Sequence, residues 1–353
     1  MKRTTIYAFL IFLFLVGCKE INKLEVQKES EKIDVHAAED TISAKFSIEI
    51  IDDRALEFID PFAKIELLAG GFEWTEGPLY IEDGNYLLFS DIPNNKVYKL
   101  TAQNDTVTYL HPSGFSGEDF TGGEPGSNGL LLNPQGELVL MQHGNRQVAK
   151  MNAPLANPKA DFSTLIDKYE GSRLNSPNDA CFDSQGNLYF TDPPYGLPEL
   201  MDDPEKQLNF QGVYCLLRSG DLILLDSTIT RPNGIGLSPD GNSLYVAVSD
   251  PNEAVWHKYT IESPGVVSNK RRIANATHLV GKKNEPGLPD GLKVSSKGIL
   301  FATGPCGVWV FDSEGKLLAK IKTGLATANC AFGNDEKRLF MTADDYILAV
   351  DLK

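Results

Sequence analysis

The sequence lacks the features that mark several large classes of protein. It has no extended cluster of basic residues, since the longest run is Lys270-Arg271-Arg272, and its formal net charge is −15. A nucleic-acid-binding protein needs a cationic face that displaces counterions, so no nucleic-acid partner is expected. It has no G-x-S-x-G motif, which argues against a serine nucleophile of the α/β-hydrolase type. No segment repeats apolar residues every 3.6 positions, which argues against an α/β fold.

Cysteine is scarce, with five residues in 353. Four of them follow the N-terminal region, at wide and irregular spacings: Cys181, Cys215, Cys306 and Cys330. These spacings differ from the paired-cysteine patterns of zinc sites. Disulfides are possible for an even number of cysteines in an oxidising compartment. We expect free thiols instead, because cysteine is often simply buried.

Long apolar runs are also missing, apart from one at the N-terminus. The run from Thr4 to Val16 follows two basic residues and is shorter than the roughly 20 residues that cross a bilayer. It is typical of a secretory signal. Leu15-Val16-Gly17-Cys18 resembles a bacterial lipobox, with an ordinary cleaved signal as the alternative. We therefore predict lipidation of Cys18 and localisation in the bacterial cell envelope, at the outer membrane and facing the periplasm or the surface. The lipid would be the protein's only contact with the membrane.

The predicted domain organisation has three parts. Residues 1–18 are the lipoprotein signal peptide, which ends at Cys18. Residues 19–61 are rich in Lys, Glu, Asp, Ser and Ala, a composition that buries too little apolar surface to fold, so we predict a flexible tether. Residues 62–353 form the folded domain.

An internal repeat determines the fold prediction. A turn followed by a short β-rich run occurs six times, at residues 82–90, 134–140, 184–190, 239–246, 296–301 and 335–340. The first five turns carry glycine and are spaced by 50 to 57 residues. Short strands at this period are typical of propeller blades, whereas a two-sheet sandwich, the competing fold, would not produce the period. We predict an all-β, six-bladed β-propeller, closed by an outer strand from residues 63–68.

A polar residue lies eight positions before each turn. The six residues are Glu76, Asn128, Asn178, Asn233, Asp290 and Asn329. If each begins the innermost strand of its blade, all six converge on the axis. Hard cations such as Ca²⁺ prefer oxygen ligands of these types, and the absence of His and Cys argues against Zn²⁺ and Cu²⁺. The alternative is that they are ordinary turn residues, whose side chains bond nearby backbone.

Polar residues also follow the second strand of five repeats. They are Asp91, His143, Asp192, Asp250 and Asp344. Because the second strand returns to the face on which the first begins, these side chains are expected beside the six axial residues. His143 is the only histidine among them. It is predicted either to face the substrate or to cap a loop.

Several of these segments resemble the SMP-30/gluconolactonase/luciferin-regenerating-enzyme-like family of calcium-dependent six-bladed propellers, in particular its bacterial gluconolactonase branch. The segments that carry the resemblance are residues 75–78, 142–146, 173–179, 189–196, 231–234 and 288–291. The resemblance implies a calcium-dependent hydrolase that opens a small sugar lactone to the aldonic acid. Mg²⁺, Mn²⁺ and Zn²⁺ are the alternative ions.

The resemblance also assigns residues to the predicted site. It implies Glu76, Asn178, Asn233 and Asp290 as metal ligands, with Asp290 also the general base. The mammalian branch has a substrate-contacting arginine where this sequence has Ser176, and Arg173 is the candidate replacement. The weaker substrate-binding candidates are Asn128, His143, Arg173, Asp192, Tyr195 and Asn329.

Two other functions are compatible with the same sequence. One is a non-catalytic, lipid-anchored propeller that binds a protein or a sugar, because a fold does not determine a function. The other is a metal-dependent esterase or phosphoesterase at the same site. The long segment 192–210 is expected to be a substrate lid or a partner-binding loop. No oligomeric state is predicted.

Overall fold

Six antiparallel sheets form most of the regular structure in residues 42–353, the part of the chain that the computed structural model describes. The sheets are the blades of a six-bladed β-propeller, so the predicted fold is confirmed. Residues 1–41, including the predicted lipidation site Cys18, lie outside the described residues. In residues 42–353 no helix is long and apolar enough to cross a membrane.

The strands follow one another blade by blade. Strands β1 (Ser47–Ile50) and β2 (Ile65–Gly70) precede blade 1, which consists of β3 (Thr75–Ile81), β4 (Tyr86–Asp91), β5 (Lys96–Leu100) and β6 (Thr106–Leu110). Blade 2 consists of β7 (Ser127–Leu132), β8 (Leu138–Gln142), β9 (Gln147–Met151) and β10 (Phe162–Ile166). A small hairpin of β11 (Lys168–Tyr169) and β12 (Ser172–Arg173) leads to blade 3, formed by β13 (Ala180–Phe182), β14 (Leu188–Asp192), β15 (Gly212–Leu216) and β16 (Leu222–Asp226).

The second half of the ring repeats this order. Blade 4 consists of β17 (Pro232–Leu237), β18 (Ser243–Asp250), β19 (Glu253–Ser263) and β20 (Val266–Asn275). Blade 5 consists of β21 (Leu292–Val294), β22 (Leu300–Gly304), β23 (Gly307–Phe311) and β24 (Leu317–Lys322). Blade 6 contains β25 (Thr327–Gly333), β26 (Arg338–Ala343) and β27 (Tyr346–Asp351). Between residues 47 and 353 the helices are 3₁₀ turns: η1 (Asp53–Glu57), η2 (Glu82–Gly84), η3 (Leu200–Asp202) and η4 (Thr277–Leu279).

The ring is closed by the strand that the sequence predicted for this role. Strand β2 pairs antiparallel with β27, with Ile65 opposite Val350 and Glu66 opposite Ala349. Blade 6 therefore combines three strands from the C-terminus with one from the N-terminal side. This pairing covers the edge of β27, which would otherwise expose unpaired backbone groups.

The apolar core lies between the blades. Each of six buried clusters contains residues from two neighbouring blades. Tyr189 and Val213 of blade 3, for example, pack with Val246 and Val255 of blade 4. The first strands of neighbouring blades contact one another around the axis. The start of every first strand is therefore held close to the same point.

The tether prediction does not hold for residues 42–61. Strand β1 adds a fifth strand to blade 5 by pairing with β24, with Ser47 opposite Lys322. Ala55 and Ile59 are fully buried against blades 5 and 6. The prediction averaged composition over residues 19–61, and the many charged residues hid the few apolar side chains that dock on the propeller.

Replacing Ile59 by alanine tests whether this segment stabilises the domain. Loss of a fully buried isoleucine side chain typically lowers the free energy of unfolding by about 2–5 kcal/mol. Ile51→Ala is the matched control, because Ile51 is 47% exposed and its change is expected to stay within about 0.5 kcal/mol. Urea denaturation measures both. Equal stabilities for the two variants would mean that the segment is dispensable.

Candidate functional site

The six axial residues lie where the repeat predicted them, at the start of the first strand of each blade. Glu76, Asn128 and Asn233 are the second residues of β3, β7 and β17, and Asn329 is the third residue of β25. Asn178 and Asp290 lie two residues before β13 and β21. All but Asn329 line one cavity of about 250 Å³.

Glycines after the axial residues let the blades approach this closely. A Cβ atom at Gly234 would lie 2.2 Å from the backbone oxygen of Asp290, and one at Gly129 would lie 2.7 Å from that of Asn178. The same glycines donate their N–H groups to these oxygens, at 3.0 Å and 2.8 Å. The recurring polar-glycine pair therefore has a packing role, since a side chain at these positions would separate the axial residues.

Four oxygen atoms at the cavity have no hydrogen-bond partner among the described residues. They are the buried Oδ1 atoms of Asn128, Asn178, Asn233 and Asp290. A buried polar atom without a partner costs about 1–3 kcal/mol, so four in one place indicate a ligand that accepts electron pairs. A hard divalent cation fits this donor set, which contains only carboxamide and carboxylate oxygens.

The amide of Asn233 has an orientation that neighbouring groups define. Its Nδ2 donates to Oγ of Ser249 at 2.9 Å, and that hydroxyl in turn donates to the backbone oxygen of Pro289. Because Ser249 accepts from the nitrogen, Oδ1 is the atom of Asn233 that is left free. Asn233 is therefore set to present an oxygen.

Of the two carboxylates of the set, Glu76 is buried, whereas Asp290 is partly exposed although its Oδ1 atom is buried. Glu76 is 2% exposed, and its Oε2 accepts hydrogen bonds from the backbone of Gly77 at 2.7 Å and from Nδ2 of Asn329 at 3.1 Å. Burial raises the pKa of Glu76 to about 7, and the nearby charge of Asp179 acts in the same direction. Burial, followed by the charge of Glu76, also raises the pKa of Asp290. A bound cation would relieve this repulsion.

Asn329 supports the set from behind. Its amide donates to Glu76 and its Oδ1 accepts from the backbone of Cys330 at 2.9 Å. It does not line the cavity, which distinguishes it from Asn128. Within residues 42–353 no group of three or more His, Cys, Asp or Glu side chains is arranged as a metal site, because the axial set consists largely of asparagines.

Lys293 and Asp179 form an ion pair close to Glu76. This pair was not predicted from the sequence. Nζ of Lys293 is 3.5 Å from Oδ2 of Asp179, and it donates to the backbone oxygen of Leu292 at 3.0 Å and to Oδ1 of Asn329 at 3.4 Å. Burial alone would lower the pKa of Lys293, but Asp179, Cys330 and Glu76 together outweigh it and raise the pKa. One signal was present in the sequence: Asp179 occupies a position where four other repeats have glycine.

The cavity wall combines apolar and polar groups. Trp74, Ile92 and Leu288 supply the apolar part. The polar part comes from Glu124, Tyr195, Arg231 and Ser249. Of these four, only Tyr195 was a predicted site residue. Burial is the main reason that the pKa of its phenol is raised.

Ser176, for which Arg173 was the candidate replacement in substrate binding, shapes the loop that carries Tyr195. Its Oγ donates to the backbone oxygen of Pro193 at 2.6 Å and accepts from the backbone N–H of Gly196 at 2.9 Å. Arg173 lies outside the cavity lining and donates to the backbone oxygen of Asn145 at 2.9 Å. The arginine that lines the cavity is Arg231.

Asp192 and His143 also lie behind the cavity wall. Asp192 is fully buried and accepts from the backbone N–H groups of Asn175 and Ser176, both at 2.8 Å. His143 is fully buried, and its Nδ1 is 2.6 Å from Oε2 of Glu124. Neither residue lines the cavity. Each holds a segment that does.

The four cysteines within residues 42–353 form no disulfides that could support the site. All four are free, as expected, with Cys215 and Cys330 buried and Cys181 and Cys306 partly buried. Burial raises the pKa of Cys330 to about 12. Its thiol is therefore protonated at neutral pH and packs as a small apolar group.

Comparison with known proteins places this architecture in a family. The model of the SMP-30/gluconolactonase/LRE-like region matches residues 74–345, which include all six axial residues. The chain belongs to the SMP-30/gluconolactonase/LRE-like family. The matched region begins at Trp74 of the cavity wall and covers every first strand.

Two gluconolactonases resemble the chain over most of its length, and a third protein resembles a shorter part of it. A gluconolactonase from Zymomonas mobilis is 37% identical over 303 residues, which cover 84% of this chain and 83% of that protein. The structure of a gluconolactonase from Xanthomonas campestris superposes with a TM-score of 0.73 and 27% identity, covering 87% of this chain and 95% of that one. Diisopropyl-fluorophosphatase from Loligo vulgaris is 31% identical over 105 residues, 29% of this chain and 33% of that protein.

Asp192 predicts a pH-dependent contribution to the stability of this family member. Burial raises its folded-state pKa to about 7, against two backbone hydrogen bonds that lower it. Because this pKa lies above that of an unfolded aspartate, the contribution is fully present below about pH 4. It is lost as pH rises towards 7, by at most about 1.4 kcal/mol per pH unit.

The test compares wild type with Asp192→Asn by urea denaturation between pH 4.5 and 8. We expect the difference in unfolding free energy, wild type minus variant, to fall as the pH rises. Asp335→Asn serves as the control, since Asp335 is exposed. A difference that is constant across this range would rule out titration of Asp192.

Proposed function

We propose that this protein is a metal-dependent hydrolase that opens a sugar lactone to the aldonic acid. The observation that supports it most is the cavity at the propeller axis, where four unpartnered oxygens, one of them from Asp290, converge with the buried carboxylate of Glu76. The names of the relatives from Zymomonas mobilis and Xanthomonas campestris support lactone as the substrate class.

Glu76, Asn178, Asn233 and Asp290 are the proposed ligands of the ion, and Asn128 joins them because its free Oδ1 faces the same cavity. Hard cations take six to eight oxygen ligands, with water completing the set. Ca²⁺ fits this mostly neutral, oxygen-only arrangement, and Mg²⁺, Mn²⁺ and Zn²⁺ are the competing ions. Five ligands from five blades would also make ion binding sensitive to the closure of the ring.

The mechanism assigns separate tasks to the residues of the cavity. A divalent cation bound there would supply Lewis-acid polarisation of the lactone carbonyl. Asp290, whose Oδ1 lies in the cavity without a partner among the described residues, accepts the proton of the attacking water and returns it to the ring oxygen when the C–O bond of the lactone breaks. Arg231 and Tyr195 carry hydrogen-bond donors at the cavity wall, where they orient the lactone ring. Trp74 and Leu288 shield the reacting groups from bulk water.

Hydrolysis of glucono-δ-lactone, followed by acid release, tests the proposal. Protein beginning at Lys19 is assayed with Ca²⁺, after chelation with EGTA, and after Ca²⁺ is restored, each against the spontaneous rate. We expect turnover that EGTA abolishes and Ca²⁺ restores. Tight Ca²⁺ binding without turnover would support the proposed ion site and would reject glucono-δ-lactone as the substrate. Turnover that EGTA does not affect would reject the metal-dependent mechanism.

The same assay separates the alternative functions. A panel that adds aryl esters and a phosphotriester tests the esterase or phosphoesterase alternative, to which the short match with diisopropyl-fluorophosphatase lends support. The non-catalytic alternative predicts a different result. The protein would turn over none of these substrates, and it would bind a protein or a sugar as well in EGTA as in Ca²⁺.

We also propose that the protein acts at the bacterial cell envelope, attached by a lipid on Cys18. The supporting feature is the short apolar run that ends in Leu15-Val16-Gly17-Cys18. Labelling of the full-length protein with a radioactive fatty acid is expected to depend on Cys18. Equal labelling of Cys18→Ser would contradict this attachment.

A further inference from the structure

Glu124 is a cavity-lining carboxylate that no repeat position predicts. It belongs to the loop between β6 and β7, and its side chain is 32% exposed. Its Oε2 accepts from, or donates to, Nδ1 of His143 at 2.6 Å. The carboxylate is therefore fixed at one oxygen and open to the cavity, unlike the buried carboxylate of Glu76.

The burial and the backbone hydrogen bonds of His143 fix the position of its imidazole, and the imidazole in turn orients the carboxylate of Glu124. Its side chain is fully buried and its backbone N–H donates to Gly126 at 3.1 Å, while its backbone oxygen accepts from Arg146 at 3.0 Å. Nε2 has no partner among the described residues, so the contact with Glu124 is the imidazole's only hydrogen bond within them. His143 does not line the cavity, so its polar contact serves the orientation of Glu124.

The groups near Glu124 complement a ring that carries hydroxyls. A carboxylate accepts hydrogen bonds from hydroxyl groups, whereas the guanidinium of Arg231 donates to them. Tyr195 and Ser249 add hydroxyls to the same wall. Trp74, Ile92 and Leu288 supply an apolar surface for the C–H face of a saturated ring. An aliphatic lactone would offer no hydroxyl to the second carboxylate oxygen of Glu124 or to Arg231, which disfavours its binding.

We propose that Glu124, oriented by His143, binds the hydroxyl groups of the substrate, so that the site selects a polyhydroxylated lactone over an aliphatic one. The choice of lactone as the reacting group rests on the proposed function. Glu124 is a specificity-determining residue and His143 is a positioning residue. Neither belongs to the proposed set of cation ligands.

Binding of a ligand that cannot react tests this assignment independently of turnover. 1,5-Anhydro-D-glucitol carries the ring hydroxyls of glucono-δ-lactone without its carbonyl, and tetrahydropyran lacks both. We expect wild type to bind the first and not the second in calorimetry at saturating Ca²⁺. Glu124→Gln preserves the size of the side chain and is expected to weaken this binding about tenfold, since it removes a charged hydrogen-bond acceptor.

Two variants complete the binding experiment. Glu118→Gln, on an exposed residue of the same loop, is expected to bind as wild type does. His143→Asn is expected to weaken binding less than Glu124→Gln does, because the carboxylate remains but is no longer held. Absence of binding to wild type, or equal affinities for wild type and Glu124→Gln, would overturn the proposal.

Kinetics distinguish failure of this inference from failure of the proposed function. For glucono-δ-lactone we expect Glu124→Gln to raise KM about tenfold with little change in kcat, and for δ-valerolactone to leave kcat/KM unchanged. Equal losses on both lactones would overturn hydroxyl recognition and leave the lactonase proposal intact. Wild type that hydrolyses neither lactone, yet binds the anhydroglucitol through Glu124, would reject the lactonase proposal and support the polyol site.

Discussion

Asp290→Asn is expected to lower kcat for glucono-δ-lactone by about 10³-fold while the protein stays folded. Removal of a general base typically costs 10²- to 10⁴-fold in rate. Asp290 lines the cavity, and its Oδ1 has no hydrogen-bond partner among the described residues, so it is placed to accept the proton of the attacking water. Asparagine keeps an oxygen at the site but accepts no proton.

The assay is made at a Ca²⁺ concentration that calorimetry shows to saturate each variant. This separates the loss of a ligand charge from the loss of the base. Asp335→Asn is the control, because Asp335 is exposed and distant from the cavity lining. If Asp290→Asn bound Ca²⁺ and retained full turnover, the role of Asp290 as proton acceptor would be wrong.

Lys293→Met is expected to have opposite effects on the stability of the protein and on its affinity for Ca²⁺. The substitution leaves the carboxylate of Asp179, which is 4% exposed, without its cation. Breaking a buried ion pair costs 3–5 kcal/mol, and we expect about 3 kcal/mol here because the Lys293 side chain is 30% exposed. Ca²⁺ affinity should rise, since the ammonium no longer opposes a cation near Glu76.

A double-mutant cycle with Asp179→Asn tests whether the pair is the cause. The double variant removes both charges, so we expect it to recover most of the stability lost in Lys293→Met. Urea denaturation without Ca²⁺ gives the stability, and calorimetry gives the affinity. Additive losses in the cycle, or a lower Ca²⁺ affinity in Lys293→Met, would show that Lys293 acts only through packing.

The internal repeat was sufficient to predict the fold and the positions of the six axial residues, because both depend on features that are close together along the chain. Gly84, Gly136 and their equivalents mark turns, and the residues eight positions earlier mark the starts of first strands. Hairpin pairing relates positions that are close along the chain. Six copies of one hairpin, each burying its faces against its neighbours, therefore predict both the propeller and the convergence of Glu76 with Asp290.

The sequence did not predict the roles of the residues that act through loops. Glu124 lies in an irregular segment without a repeat equivalent, and its contact with His143 joins positions 19 residues apart in different loops. Asp192 and Arg173 lie close to axial residues in the sequence, yet the structure uses them to hold backbone. Proximity along the chain does not show whether a side chain faces the cavity or the protein behind it.

By itself, then, the sequence determined the all-β repeat, the number of blades and the six residues that begin the first strands. Only the tertiary structure decided that Asn128 faces the cavity while Asn329 supports Glu76, and that Lys293 pairs with Asp179 across blades 3 and 5. It also decided that residues 47–59 dock on the propeller. The physical reason is that turns and strand pairing depend on neighbours in sequence, whereas these contacts form only when ring closure brings distant blades together.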